Sequence, residues 1–89
     1  MSTQELEQTK LKEQVVQERL LVLHNDDFNT FDHVINCLIS ICDHAEIQAE
    51  QCAYIVHHNG KCNVKKGQME KLEPMLMSLK LQNLTVEIK

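Results

Sequence analysis

Residues 20–34 read Leu20-Leu21-Val22-Leu23-His24-Asn25-Asp26-Asp27-Phe28-Asn29-Thr30-Phe31-Asp32-His33-Val34, and their pattern decides the fold. The apolar run Leu20–Leu23 is short and bounded by turn residues, the signature of a buried strand. His24-Asn25-Asp26-Asp27 supplies the turn, because Asn and Asp side chains bond to nearby backbone and tolerate tight bends. From Phe31 the period changes. Phe31, Val34, Ile35, Leu38 and Cys42 recur at helical spacing, which predicts an amphipathic helix with Asn29 or Thr30 available as its N-cap. The turn between strand and helix therefore carries two carboxylates and an amide in one exposed segment.

Toward the C-terminus, Asp43 stands three residues before Glu46, the spacing of a capping box, and predicts the start of a second helix. Ala45, Ala49, Cys52, Ala53 and Val56 share one face of it, and Gly60 ends it where a left-handed residue is wanted. Cys62 and Val64 alternate with polar neighbours as in a strand. Met69, Leu72, Leu76 and Leu79 mark a third helix; Pro74 lacks an N–H, so that helix is expected to kink or restart there. Leu84, Val86 and Ile88 alternate in a last strand. The element order is β-α-α-β-α-β, an α+β class, in a single small domain without repeats or a dividing linker. Residues 1–17 are polar, rich in Gln and Glu, and lack an apolar stripe, so they are expected to be a flexible N-terminal extension to a core at residues 18–89.

A chain of 89 residues holds one core at most. Hydrophobic residues make up 43% but aromatics only 3%, so the packing must come from Leu, Ile, Val, Met and Cys. The formal net charge of −4 argues against a nucleic-acid binder relying on phosphate contacts. That sum conceals an asymmetry. Residues 21–60 carry Asp26, Asp27, Asp32, Asp43, Glu46 and Glu50 with no Lys or Arg, and all five histidines; residues 61–89 carry six lysines against Glu70, Glu73 and Glu87. An acidic, histidine-rich middle suits a cationic ligand. No stretch has the length and apolarity of a signal peptide or membrane span, so a soluble, cytoplasmic protein with reduced thiols is expected. Cys37, Cys42 and Cys52 fall on apolar helical faces as small hydrophobes.

Several chemistries find little support. Metal binding is disfavoured because no Cys-x-x-Cys or His-Glu-x-x-His occurs, and Cys37 and Cys42 sit about 140° apart around a helix. Catalysis lacks a nucleophile with an evident base, and adjacent carboxylates such as Asp26 and Asp27 tend to point apart in a turn. Phosphate cradling needs a glycine-rich loop that two isolated glycines do not make. What remains is a second polar group, Val56-His57-His58-Asn59-Gly60, at the end of the second helix. If the helices fold back onto the strand, Asn25, Asp26 and His57 offer acceptors able to surround an ammonium group. Phe31, Val34, Ala53 and Val56 are the apolar positions facing the same side.

The string Leu21–Val34, followed by Val56-His57-His58-Asn59-Gly60-Lys61, resembles the ClpS family, adaptors of the ATP-dependent Clp protease. In that family a strand ends in Asn-Asp-Asp-aromatic and a second helix ends in Val-His-x-x-Gly-Lys. The resemblance implies a three-stranded antiparallel sheet packed against three helices. It also implies a non-enzymatic adaptor without cofactor or metal, expected as a monomer, that neither binds nucleic acid nor enters a membrane. Such adaptors take proteins with an N-terminal Phe, Leu, Trp or Tyr (N-degrons) to a hexameric Clp AAA+ unfoldase of the ClpA or ClpC kind. By position, Asn25, Asp26 and His57 match the residues that bind the substrate's α-amino group. Asn29, Phe31, Val34, Ala53 and Val56 match the side-chain pocket, and Glu70 matches an acid on the unfoldase-facing surface. Ala53 stands where many members have Met, which implies a roomier pocket. A stalk-like interaction domain without an amine pocket and a small Cys/His metal-binding protein are the alternative readings.

Overall fold

The apolar run at the centre of the quoted stretch forms the middle of strand β1 (Arg19–His24). The structure, a computed structural model, describes residues 17–89. The extension expected over residues 1–17 therefore lies, apart from residue 17, outside the described residues. After β1 come α1 (Phe31–Cys42), α2 (Glu46–Asn59), β2 (Lys61–Gly67), α3 (Met69–Leu81) and β3 (Thr85–Ile88), the order expected from periodicity. The sheet runs β2-β1-β3 with both pairings antiparallel. The most apolar strand thus lies in the middle, where both of its edges are satisfied and its side chains are best shielded.

Leu21 and Leu23 share one face of β1 and join Leu38, Cys42, Cys52, Val56, Leu72 and Leu79 in a single core. A fully buried leucine contributes about 1.5–3 kcal/mol, which fits the near absence of aromatic packing. Val22 points to the other face and is still only 1% exposed, flanked in register by Asn63 and Glu87. Cys37, Cys42 and Cys52 are buried, and burial pushes the Cys42 thiol up to about 11 and the Cys52 thiol up to about 12. Those thiols are core filler, not nucleophiles.

Two features of the sheet were not visible in the sequence pattern. Leu21 pairs with Lys65 and Val22 with Asn63, so Val64 is an extra residue, a bulge. Its carbonyl accepts a 2.6 Å hydrogen bond from His44 Nε2, which must therefore carry the proton. His44 Nδ1 is left buried without a partner among the described residues. Lys65 Nζ also crosses the strand edge to donate to the Cys42 carbonyl at 3.0 Å. Together these contacts cover part of the outer edge of β2, which would otherwise offer unpaired backbone to another chain.

Helix boundaries bring one correction and exclude one of two alternatives. Asp43 does not begin α2; it is the left-handed cap that ends α1, at φ 59°, ψ 35°, with its N–H on the Leu38 carbonyl. An N-cap needs extended backbone, so Ala45 takes that place at φ −67°, ψ 157°. Alanine has no side-chain acceptor, and only half of a capping box exists: Gln48 Oε1 accepts from Ala45 N–H at 3.4 Å. Helix α3, for its part, does not restart at Pro74 but runs unbroken from Met69 to Leu81. Pro74 is in the sixth position of that helix, so its missing N–H deprives only the Glu70 carbonyl of an i+4 donor. Among the described residues no helix is long and apolar enough to cross a membrane.

Candidate functional site

Two backbone events bring the two polar motifs together. Gly60 adopts φ 94°, a left-handed conformation that ends α2 with its N–H on the Val56 carbonyl at 2.9 Å. The chain turns directly into β2, where Lys61 pairs with His24, and the Gly60 carbonyl accepts from Asn25 N–H at 2.8 Å. The end of α2 is thereby fastened to the turn that follows β1. Between them lies a cavity of about 300 Å³ lined by Asn25, Asp26, Asp27, Asn29, Phe31, Val34, Ala53, Val56 and His57.

The structure thus brings all eight residues nominated for the amine and side-chain pockets onto one cavity and adds Asp27. Asp26 and Asp27, adjacent in the turn, both belong to its lining. Glu70 stands apart, exposed in the first turn of α3, near Glu18, Lys66 and Lys71. Its helix follows β2 at the end of the sheet where Arg19 pairs with Gly67, opposite the His24 end.

Within the cavity the carboxylate of Asp26 is the organiser. Oδ1 accepts from the backbone N–H groups of Phe28 and Asn29, each at 2.9 Å. Oδ2 accepts from Asn29 Nδ2 at 2.8 Å and, more weakly, from Thr85 Oγ1 at 3.5 Å. Partial burial pushes this carboxyl up, but the hydrogen bonds from the Asn29 backbone and side chain, the Phe28 backbone and Thr85 together outweigh it and hold the group below its ordinary 3.8. Asp26 is therefore a fixed negative charge at neutral pH.

Asn29 donates with its other Nδ2 hydrogen to the Asn83 carbonyl at 2.9 Å. Its side chain ties the turn to the far end of the chain, so Asn29 positions Asp26 as well as lining the cavity. Asn83 sits at φ 68° just after α3, where a left-handed asparagine commonly follows a helix. Only that local signal hinted at it; its meeting with Asn29 spans 54 residues of sequence. Thr30 is the N-cap of α1, its Oγ1 accepting from His33 N–H at 3.1 Å, which decides between the two cap candidates.

The opposite wall is supplied by helices. Ala53 and Val56 of α2 are buried, Val34 of α1 is half-buried, and Phe31 is 42% exposed at the mouth. The Phe31 ring meets the His57 ring edge-on, with centroids 5.7 Å apart. Among the described residues, neither the Asn25 amide nor the His57 ring makes a side-chain hydrogen bond, whereas Asp26 makes four. The C-terminal end of α2 also turns the negative pole of its dipole toward this region. One end of the cavity is accordingly anionic and rich in open acceptors, and the other is apolar. That suits a ligand with an ammonium group beside a hydrocarbon side chain. No grouping of three or more His, Cys, Asp or Glu side chains fit to hold a metal occurs among the described residues.

With this geometry in view, the chain can be set beside known proteins. A family profile described as ATP-dependent Clp protease adaptor protein ClpS matches residues 12–87. The ATP-dependent Clp protease adapter protein ClpS of Campylobacter jejuni subsp. doylei is 33% identical over 93 residues, covering 100% of this chain and 95% of that protein. Its counterpart in Campylobacter jejuni subsp. jejuni is 34% identical over 91 residues, covering 98% and 93%. The fold matches that of Agrobacterium tumefaciens ClpS2, solved bound to L-phenylalaninamide, with a TM-score of 0.70 at 16% identity over 82% of this chain and 95% of the other.

Proposed function

The chain belongs to the ClpS family of ATP-dependent Clp protease adaptor proteins, and on that premise we propose that it is a non-enzymatic adaptor for N-degrons. It captures proteins that begin with a bulky hydrophobic residue, Phe, Leu, Trp or Tyr, and delivers them to a hexameric Clp AAA+ unfoldase of ClpA or ClpC type. The adaptor core is residues 18–89, acting as a cytoplasmic monomer. The observation that carries the reading is the convergence of a fixed carboxylate, an amide and an imidazole at one end of a cavity with apolar walls. Agrobacterium ClpS2 holding L-phenylalaninamide, a free amine beside an aromatic side chain, supports it.

Recognition works as a conjunction. A free α-amine is largely cationic at neutral pH and offers three donors, whereas an internal peptide nitrogen is neutral and offers one. Asn25 and His57 accept from the ammonium, and the ionised Asp26 supplies the charge. Asp26 already uses its lone pairs to hold the turn, so the ammonium displaces the long contact with Thr85, the weakest of the four bonds. The first side chain then enters between Phe31, Val34, Ala53 and Val56, stabilised by about 25 cal/mol per Å² of apolar surface removed from water. A peptide lacking the charged amine leaves desolvated acceptors unpaired, and such sites discriminate strongly. Glu70 forms part of the unfoldase-facing surface.

The test is a fluorescence-anisotropy titration with a Phe-initiated peptide and its N-acetylated twin. Acetylation should weaken binding at least about a hundredfold. Equal binding of the two would refute the amine cage and leave a stalk-like interaction domain as the better reading.

A further inference from the structure

Helix α2 is apolar on both sides. Its inner face joins the core, while on its outer face Ile47 is 67%, Tyr54 59% and Ile55 39% exposed. A second hollow, of about 400 Å³, opens on that outer face between Glu50, Gln51, Tyr54 and Ile55. The two cavities are joined by rings. Phe31 meets His57 at 5.7 Å, His57 meets His58 edge-on at 5.1 Å, and His58 meets Tyr54 at 4.1 Å with a tilt of 50°. Phe31 and His57 line the first cavity and Tyr54 the second, so an aromatic track leads from one to the other around the end of α2.

We propose that this track binds the residues that follow a captured N-terminal residue, and that it prefers arginine where the chain reaches Tyr54. The proposal rests on the reading of the first cavity as an N-terminal-residue pocket. Length supports it: the steps of 5.1 and 4.1 Å from His57 to Tyr54 are spanned by two to three extended residues at about 3.3 Å each. Charge supports it as well, because Glu50 borders the outer hollow and no Lys or Arg occurs from residue 20 to residue 60. A guanidinium laid over the Tyr54 ring meets the negative face of the ring and an acid beside it, which a serine or an acidic side chain cannot use.

Three probes test this by anisotropy or calorimetry: phenylalaninamide, the pentapeptide amide Phe-Ser-Ser-Arg-Ser, and its all-serine twin Phe-Ser-Ser-Ser-Ser. The arginine peptide should bind the native chain about threefold to tenfold more tightly than its twin. Tyr54→Ala should erase that difference and Tyr54→Phe should keep it, while phenylalaninamide binds all three proteins alike. Tyr54 is exposed, so the variants should fold normally, and unchanged phenylalaninamide binding verifies that they do. Equal affinity of the two pentapeptides for the native chain, or an arginine advantage that survives Tyr54→Ala, overturns the track and leaves the pocket standing. Failure of phenylalaninamide to bind the native chain overturns the pocket and the track together.

Discussion

The two ends of strand β1 are built on opposite plans. At the His24 end, the polar groups around the cavity are short side chains fixed by hydrogen bonds: Asp26 is held by Phe28 and Asn29, Asn29 by Asn83, and the Asn25 backbone by Gly60. At the Arg19 end they are long, exposed side chains, represented by Lys66 and Glu18, which are 3.5 Å apart with side chains 65% and 61% exposed. The first arrangement is suited to reading one small group at fixed distances. The second has charge without fixed geometry, which guides approach and tolerates adjustment. On the function proposed above, the rigid end would serve the substrate and the adaptable one the unfoldase.

Breaking the rigid end should have the largest effect. Asp26→Ala removes the charge facing the ammonium and the acceptor that holds the turn, so affinity for a Phe-initiated peptide should fall about tenfold to a hundredfold. Loss of the turn bonds should also cost about 1 kcal/mol of stability in chemical denaturation. Unchanged peptide binding by the folded variant would remove Asp26 from the site.

The next effect is on pH. His57 can accept from an ammonium only through an unprotonated ring nitrogen, and protonation sets one cation against another. Affinity should therefore be several-fold weaker at about pH 5.5 than at about pH 7.5. His57→Gln should bind with a flatter profile; an identical slope would assign the pH response elsewhere, His58 being the other histidine of that motif. Folding stability has its own pH signature. The Asp26 carboxyl is lowered from 3.8 in the folded chain, so folding favours its ionised form. That contribution is complete above the unfolded value and is lost as pH falls through the folded one. Denaturation midpoints for Asp26→Asn should consequently vary less below about pH 4 than those of the native chain.

Smaller still is the effect of Ala53→Met, which fills space in the pocket wall. It should alter relative affinities for Phe, Leu, Ile and Val N-termini by a few-fold, weakening the β-branched ones most, because the longer side chain narrows the pocket where those ligands are widest. At the adaptable end, Lys66→Ala should change stability by no more than about 0.5 kcal/mol, as expected of an exposed ion pair. A larger loss in thermal denaturation would mean that the two ends are less different than their geometry suggests.

Much of this was legible in residues 20–34 and 56–61 because the signals there are local. A period change marks the strand and α1, a glycine marks the end of α2, and the family pattern links two short motifs. Elsewhere neighbours in space outvoted neighbours in sequence. Asp43 and Glu46 have the spacing of a capping box, but the end of α1 claimed Asp43 for a left-handed turn first. The Val64 bulge is stabilised by His44, 20 residues upstream, and no alternation of apolar residues encodes that contact. Asp27 was weighed in the sequence only as a partner of Asp26 for catalysis; its place in the cavity lining follows from the fastening of the turn to the end of α2, a contact between residues 35 positions apart. Asn29 was nominated for the cavity, yet its bond to the Asn83 carbonyl could be seen only once α3 had brought that residue back.

Pro74 carries a consequence for the adaptable end. By withholding an N–H, it leaves a main-chain oxygen of the very residue, Glu70, whose carboxylate is proposed to face the unfoldase without its helical donor. The Pro74 ring stands where that donor would be, so the helix is secured beside its first turn by one main-chain hydrogen bond fewer than a proline-free helix of the same length. The adaptable end thereby combines long, exposed side chains with a softer segment of backbone, and the proline fixes where along α3 that softness lies.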